Sequence, residues 1–152
     1  MRFIQALMVI AAVLFLASGV QASDSYTWRQ TLDGIRVVET GGEPNEGVGA
    51  KGDGGKAAGP YQIHLVYHID AAERDKRLTA YSRCLNSKAY SERVIRAYMN
   101  RYCRESLQRL EKGRGTLADI QRIARTHNGG PRGHKKKATL NYWNRVKKEV
   151  TR

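Results

Sequence analysis

Between residues 41 and 60 the chain carries eight glycines and two prolines, and its apolar and charged residues recur there with neither a helical nor a strand period. No regular element can run through such a stretch, so the fold has to be assembled from segments on either side of a long loop. Loops of this length inside a compact domain are uncommon and are usually functional or disordered. On the N-terminal side, Trp28, Leu32, Ile35 and Val38 recur at spacings of three and four, which predicts a helix over 26–38 with one buried face. Glu39 follows at its end, before Gly41-Gly42. The helix dipole disfavours a carboxylate there by about 0.3–1 kcal/mol, so the placement points to a use, although surface glutamates often occupy such positions.

Beyond the loop, Tyr61, Ile63, Val66, Tyr67 and Ile69 predict a second amphipathic helix ending near Asp70. Val94, Ile95, Tyr98, Met99 and Tyr102 predict a third, central helix capped by Ser91, running toward Leu107 and Leu110 and stopped by Gly113 and Gly115. Thr116 and Asp119 have capping-box spacing and open another, with Ile120, Ile123 and Ala124 turned to the core and His127 in its last turn. Gly129-Gly130-Pro131 breaks it, with Asn128 expected to take the left-handed conformation. A basic loop, Arg132 to Lys137, leads to a last helix that Thr139 caps and that packs through Leu140, Trp143 and Val146. No strand pattern or internal repeat stands out. The expected class is mainly α, one small helical domain with a short hairpin allowed in the glycine-rich loop.

Residues 1–22 read as a secretory signal: Arg2, an apolar run from Ala6 to Ala17, and small residues at Val20-Gln21-Ala22. The run is shorter than the roughly 20 residues a membrane span needs. Cleavage would leave 130 residues, 23–152, enough for one domain with one core, and would lower the formal charge from +13 to +12. Such a surplus favours anionic polymers, including nucleic acid, lipid headgroups and bacterial cell walls. Export argues against an intracellular nucleic-acid role, and no zinc-finger spacing or aromatic-basic strand is present. Cys84 and Cys103, an even pair in a chain bound for an oxidising compartment, lead to the expectation of one disulfide, with two buried free thiols as the alternative.

Two acids flank the loop, Glu39 before it and Asp53 within it. Glycoside hydrolysis needs such a pair, one to protonate the leaving oxygen and one to offset oxocarbenium charge or to act as nucleophile or base. The stretch Gly49 to Lys56 looks superficially like a phosphate-binding loop, but Ala50 stands where its first glycine belongs and Ala57 replaces the magnesium-binding hydroxyl.

Taken in order, Leu32, Ile35, Val38-Glu39 and Gly41, then Asp53, Gly55, Gly59 and Tyr61-Gln62-Ile63, then Tyr67, Ile69, Asp70, Cys84, Ala97-Tyr98-Met99, Arg101-Tyr102, His127-Asn128-Gly129-Gly130-Pro131 and Tyr142-Trp143 resemble the invertebrate-type (i-type, destabilase-like) lysozymes. The resemblance spans Leu32 to Val146. It implies a lysozyme-like α+β fold, mainly α, and cleavage of the β-1,4 bond between N-acetylmuramic acid and N-acetylglucosamine in peptidoglycan, without metal or cofactor. Glu39 falls on the family's general acid and Asp53 on its second carboxylate, which requires a partly apolar setting for Glu39 and a wetter one for Asp53. Glu43, Glu46 and Asp70 compete for the second role and read as loop or helix-end groups. The resemblance puts Tyr61, Gln62, His127, Asn128 and Gly129 at the substrate cleft, Tyr61 stacking on a sugar or packing in the core. Gly42, Ala89 and His134 stand where relatives carry cysteines, so packing has to supply what disulfides supply there. Lys56, Ala57 and Ala58 replace the hydroxyls of relatives that cleave isopeptide bonds, so that second activity is not expected. The expected partner is the anionic wall glycan, met by a monomer that does not insert stably into membranes. Two other functions fit the sequence: a lytic transglycosylase, which needs one Glu and leaves anhydro ends, and a noncatalytic cationic wall-binding protein.

Overall fold

The computed structural model describes residues 24–41 and 44–152. The expected leader, and Gly42 and Glu43, lie outside the described residues. Helix α1, Trp28–Thr40, starts at a reciprocal cap: the Thr27 hydroxyl accepts from the Gln30 N–H, and the Gln30 side chain accepts from the Thr27 N–H. It ends where Gly41 turns left-handed (φ 63°) and donates its N–H to the Val37 carbonyl at 2.8 Å. The glycine-rich segment then forms three two-residue antiparallel strands in the order β1 (Lys51–Gly52), β2 (Ala57–Ala58), β3 (Ile63–His64). Helices α2 (Leu65–Ala72), α3 (Arg83–Asn86), α4 (Lys88–Tyr102), α5 (Arg104–Glu111), α6 (Leu117–Gly129) and α7 (Leu140–Val150) follow.

One apolar cluster ties the helices together, with Leu32 and Ile35 of α1, Ile95 and Met99 of α4, Leu107 and Leu110 of α5, Ile120 and Ile123 of α6 and Val146 of α7 excluded from solvent. These are the inward positions that the three-and-four spacing identifies, and their burial is the main stabilising term. Helices α1 and α7 pack closely at Gly34, where an added Cβ would lie 2.5 Å from Val150 Cγ1. A glycine inside a helix costs about 1 kcal/mol relative to alanine, and the near approach of α7 is what makes that residue necessary.

Several local expectations are corrected. Tyr61 and Ile63 precede α2, because pairing with β2 holds Ile63 extended, and on α2 the buried residues are Tyr67, His68 and Ala71 while Val66 is 74% exposed. Ser87, not Ser91, caps α4; the Ser91 hydroxyl is buried and donates to the Cys84 carbonyl at 2.9 Å. The long central helix is broken at Cys103 (φ −138°, ψ 36°), so Leu107 and Leu110 belong to α5. Thr139 makes no capping bond; its Oγ1 lies 2.8 Å from the carbonyls of Gly133 and Lys136, and Leu140 is exposed.

The expected disulfide is absent: Cys84 and Cys103 are free and buried. Cys103 donates to Thr126 Oγ1 at 3.3 Å, and burial pushes the Cys84 thiol up to about 12, so it stays protonated and unreactive at neutral pH. Millimolar dithiothreitol is therefore expected to leave the melting temperature unchanged, with iodoacetamide modifying both thiols only in the unfolded protein. A reductant-induced drop of several degrees would contradict this.

Candidate active site

Glu39 sits in the last turn of α1, and the Gly41 turn that ends the helix leaves its carboxylate facing a cleft. The cleft holds about 280 Å³ and is lined by Glu39, Asp53, Ala57, Gln62, His64, Tyr67, His127 and Asn128. Glu39, from before the glycine-rich loop, and Asp53, from within it, thus share one cavity. Tyr142 on α7 donates to Glu39 Oε1 at 2.7 Å, and His127 Nε2 lies 3.5 Å from the same oxygen. Burial, with the Glu39 charge adding to it, holds the Tyr142 hydroxyl far above its ordinary pKa, so it remains a donor across the physiological range.

His127 is nearly buried, and its ring orientation follows from its partners. Nε2 lies 3.2 Å from the Tyr61 carbonyl, which can only accept, so Nε2 carries the hydrogen; Nδ1, 3.3 Å from the Tyr67 hydroxyl, accepts in the neutral ring. The Nε2–H then lies between the Tyr61 carbonyl and Glu39. His127 lines the cleft, as expected, with Nε2 against Glu39.

Asp53 occupies left-handed backbone (φ 49°) in a short turn between β1 and β2, a conformation that Asp tolerates better than most residues and that costs on the order of 1 kcal/mol. Its carboxylate is 63% exposed and faces His64 across 3.8 Å. The two acids therefore have different surroundings: Glu39 packs against tyrosines and a histidine, and Asp53 meets solvent. Gln62 also has positive φ (47°); it donates to the Gly59 carbonyl at 2.9 Å and fills the space beside Gly52, where a Cβ would come within 2.0 Å of its Oε1. Gly59 lies against α3, since a Cβ there would sit 1.9 Å from the Cys84 carbonyl, and this contact fixes the hairpin beside the cleft.

Two expected substrate contacts are corrected. Tyr61 is fully buried and its hydroxyl donates to Glu92 Oε1 at 2.8 Å, which in turn pairs with Arg29, so it is a core residue and not a sugar platform. Gly129 does not line the cleft; it packs against Thr139, and its carbonyl accepts from Lys136 Nζ at 2.6 Å. Asn128 does line the cleft but stays helical, and Gly130 (φ 80°) makes the turn. His64, Tyr67 and Tyr142 are the site residues that sequence reasoning did not single out. For His64, the alternation of inward Ile63 and outward residue 64 along β3 was the available signal.

The family model described as Destabilase matches residues 32–149. The chain belongs to the invertebrate-type, destabilase-like lysozyme family. It is 39% identical over 106 residues to invertebrate-type lysozyme 6 of Caenorhabditis elegans, covering 66% of this chain and 72% of that one. It is 32% identical over 146 residues to invertebrate-type lysozyme 3 of the same organism, covering 92% and 96%. Among solved structures it is similar to Tapes japonica lysozyme (TM-score 0.61, 27% identity, 83% of this chain and 93% of that one). It is also similar to Meretrix lusoria lysozyme in complex with Aeromonas hydrophila PliI (TM-score 0.60, 32% identity, 80% and 89%). The fold is the mainly helical one of these lysozymes.

In this invertebrate-type lysozyme chain the Tyr142 contact gives a direct test of how Glu39 is held. Tyr142→Phe removes one donor and little volume. Misplacement of a reacting group is costly, so kcat is expected to fall about tenfold with KM unchanged. A proportionate rise in KM instead would assign Tyr142 to substrate binding.

Proposed function

We propose that this chain is a secreted lysozyme: a glycoside hydrolase that cleaves the β-1,4 linkage between N-acetylmuramic acid and N-acetylglucosamine of peptidoglycan. Glu39 is the general acid and Asp53 the second carboxylate. The observation that carries this reading is that two acids with unlike surroundings, one among buried aromatic groups and one in an exposed loop, line a single cleft. Enzymes that protonate a leaving oxygen while keeping a second carboxylate charged separate their acids in this way. In the proposed reaction Glu39 gives its proton to the glycosidic oxygen as the bond to the anomeric carbon breaks. Asp53 offsets the positive charge that develops on the sugar ring, and water supplies the new hydroxyl. Gln62 and Asn128 offer amides to the N-acetyl and hydroxyl groups of the glycan, and His127 and Tyr142 orient Glu39.

In this reading residues 1–22 direct export and the remainder acts as a monomer on the wall. Among the described residues no helix is long and apolar enough to cross a membrane. The relatives named lysozyme support the activity, and the net charge of +13 supports attraction to an anionic wall. Mass spectrometry of muropeptides released from purified peptidoglycan tests it. Reducing ends are the expected products; anhydro ends would mean that a sugar hydroxyl displaces the leaving group and would withdraw the role given to Asp53.

A further inference from the structure

A second cavity lies apart from the cleft that holds Glu39 and Asp53. It holds about 570 Å³ and lies where the break between α4 and α5 meets α6 and the turn carrying His134. On α6 its lining residues Ala118, Gln121, Arg122 and Arg125 recur at three and four, on the side of the helix turned away from His127.

The charges around this cavity are unbalanced. Asp119 is committed: both its oxygens take Arg109, and one also accepts from Thr116. Arg101 is taken up by Asp70 and Glu73. That leaves Arg104, Arg122 and Arg125 without a carboxylate partner among the described residues, against the single carboxylate of Glu105. Arg125 is nevertheless fixed, donating from Nε to Thr139 Oγ1 and from Nη2 to the Lys136 carbonyl, both at 2.9 Å, so its charge is oriented by neutral groups and not cancelled. Gly133 allows the next turn to lie directly on α6, since a Cβ there would meet the Arg125 carbonyl at 2.0 Å, and this brings His134 to the cavity wall. His134 Nδ1 is buried with no hydrogen-bond partner. Burial first, and then the nearby charges of Arg122, Lys135 and Arg125, lower the His134 pKa.

Three guanidiniums with no carboxylate partner among the described residues thus line one basin, with the His134 ring in its wall. We infer that this basin is a second binding site, separate from the catalytic cleft, that takes the phosphate groups of a polyanionic chain, specifically a polyol-phosphate polymer of the bacterial wall. Guanidinium forks match phosphate oxygens in a bidentate manner, and the cavity is larger than one isolated ion needs. The choice of polymer rests on the wall-hydrolase reading; the phosphate chemistry does not.

The test measures binding of fluorescent poly(glycerol phosphate) by polarisation, with the catalytic cleft untouched. Arg104→Gln combined with Arg122→Gln is expected to weaken binding by about tenfold or more, the size that follows from losing charge-assisted contacts. Lys147→Gln combined with Lys148→Gln removes the same charge from exposed positions of α7 and is expected to weaken it only about two- to threefold, through net charge alone. Titration of the wild type with the polymer is expected to shift the His134 ring resonances in NMR spectra. Equal losses in the two double variants, or unmoved His134 resonances, would overturn the proposal. So would binding to phosphatidylglycerol vesicles without binding to the polymer. Should the arginine variant fail to fold, titration of the wild-type His134 resonances with inorganic pyrophosphate decides the point. Because the readout is binding and not turnover, failure here leaves the roles of Glu39 and Asp53 standing, and an inactive enzyme can still pass.

Discussion

Replacing Glu39 by Gln is expected to abolish clearing of cell-wall suspensions, with kcat/KM falling by about 10³-fold, or roughly 4 kcal/mol of transition-state stabilisation. The amide keeps the shape of the side chain and an oxygen that can accept from Tyr142, so the fold and the cleft are preserved. What is lost, under the proposed role of Glu39, is the proton that has to reach the glycosidic oxygen. Glutamine cannot deliver it, and the other acid lining the cleft, Asp53, is exposed, with His64 3.8 Å away, and not held against buried donors as Glu39 is. Binding to walls should survive, because the substitution raises the net charge. Undiminished lysis by a folded Glu39→Gln protein would assign the clearing to charge alone and end the enzymatic reading.

Asp119→Ala is expected to lower stability by about 2–4 kcal/mol, the scale of a lost helix cap plus charged hydrogen bonds. Asp119 is only 3% exposed yet charged. Burial alone would raise its pKa, but the Arg109 guanidinium and the N–H and hydroxyl of Thr116 overcome that cost and hold the carboxyl well below the usual range. The folded pKa is thus depressed, so this contribution is complete above about pH 4, the ordinary value of an unfolded Asp, and is lost as pH falls from there toward the folded value. Thermal melts at pH 7 should separate wild type and variant by about 10 °C. At pH 2–3 the gap should narrow, because there the unfolded wild type takes up a proton at Asp119 that the folded protein still excludes. A gap independent of pH would mean that the loss is one of packing and not of charge.

The helix faces were legible because their cause is local. Leu32, Ile35, Ile120, Ile123 and Val146 repeat at helical spacing, and each is buried. The Thr116–Asp119 capping box was legible for the same reason, since both partners lie within one turn. Tyr61 was not, because a tyrosine beside a loop reads alike whether it faces a sugar or Glu92, and only the position of α4 sends its hydroxyl inward. Val66 and Ile69 fit a buried face by spacing but are exposed, because α2 packs through Tyr67, His68 and Ala71. The disulfide expectation came from counting cysteines and from compartment, neither of which carries the geometry that pairs two sulfurs.

By itself the sequence determined the amphipathic segments, the break between them, the two candidate acids and the strong positive charge, because each follows from residue type and near-neighbour spacing. The tertiary structure alone decided which groups surround those acids. Tyr142 meets Glu39 from 103 positions away, His127 reaches the Tyr61 carbonyl from 66, and the unpaired arginines converge from separate helices. Contacts between residues so distant along the chain depend on how the helices pack against one another, and no local spacing encodes that.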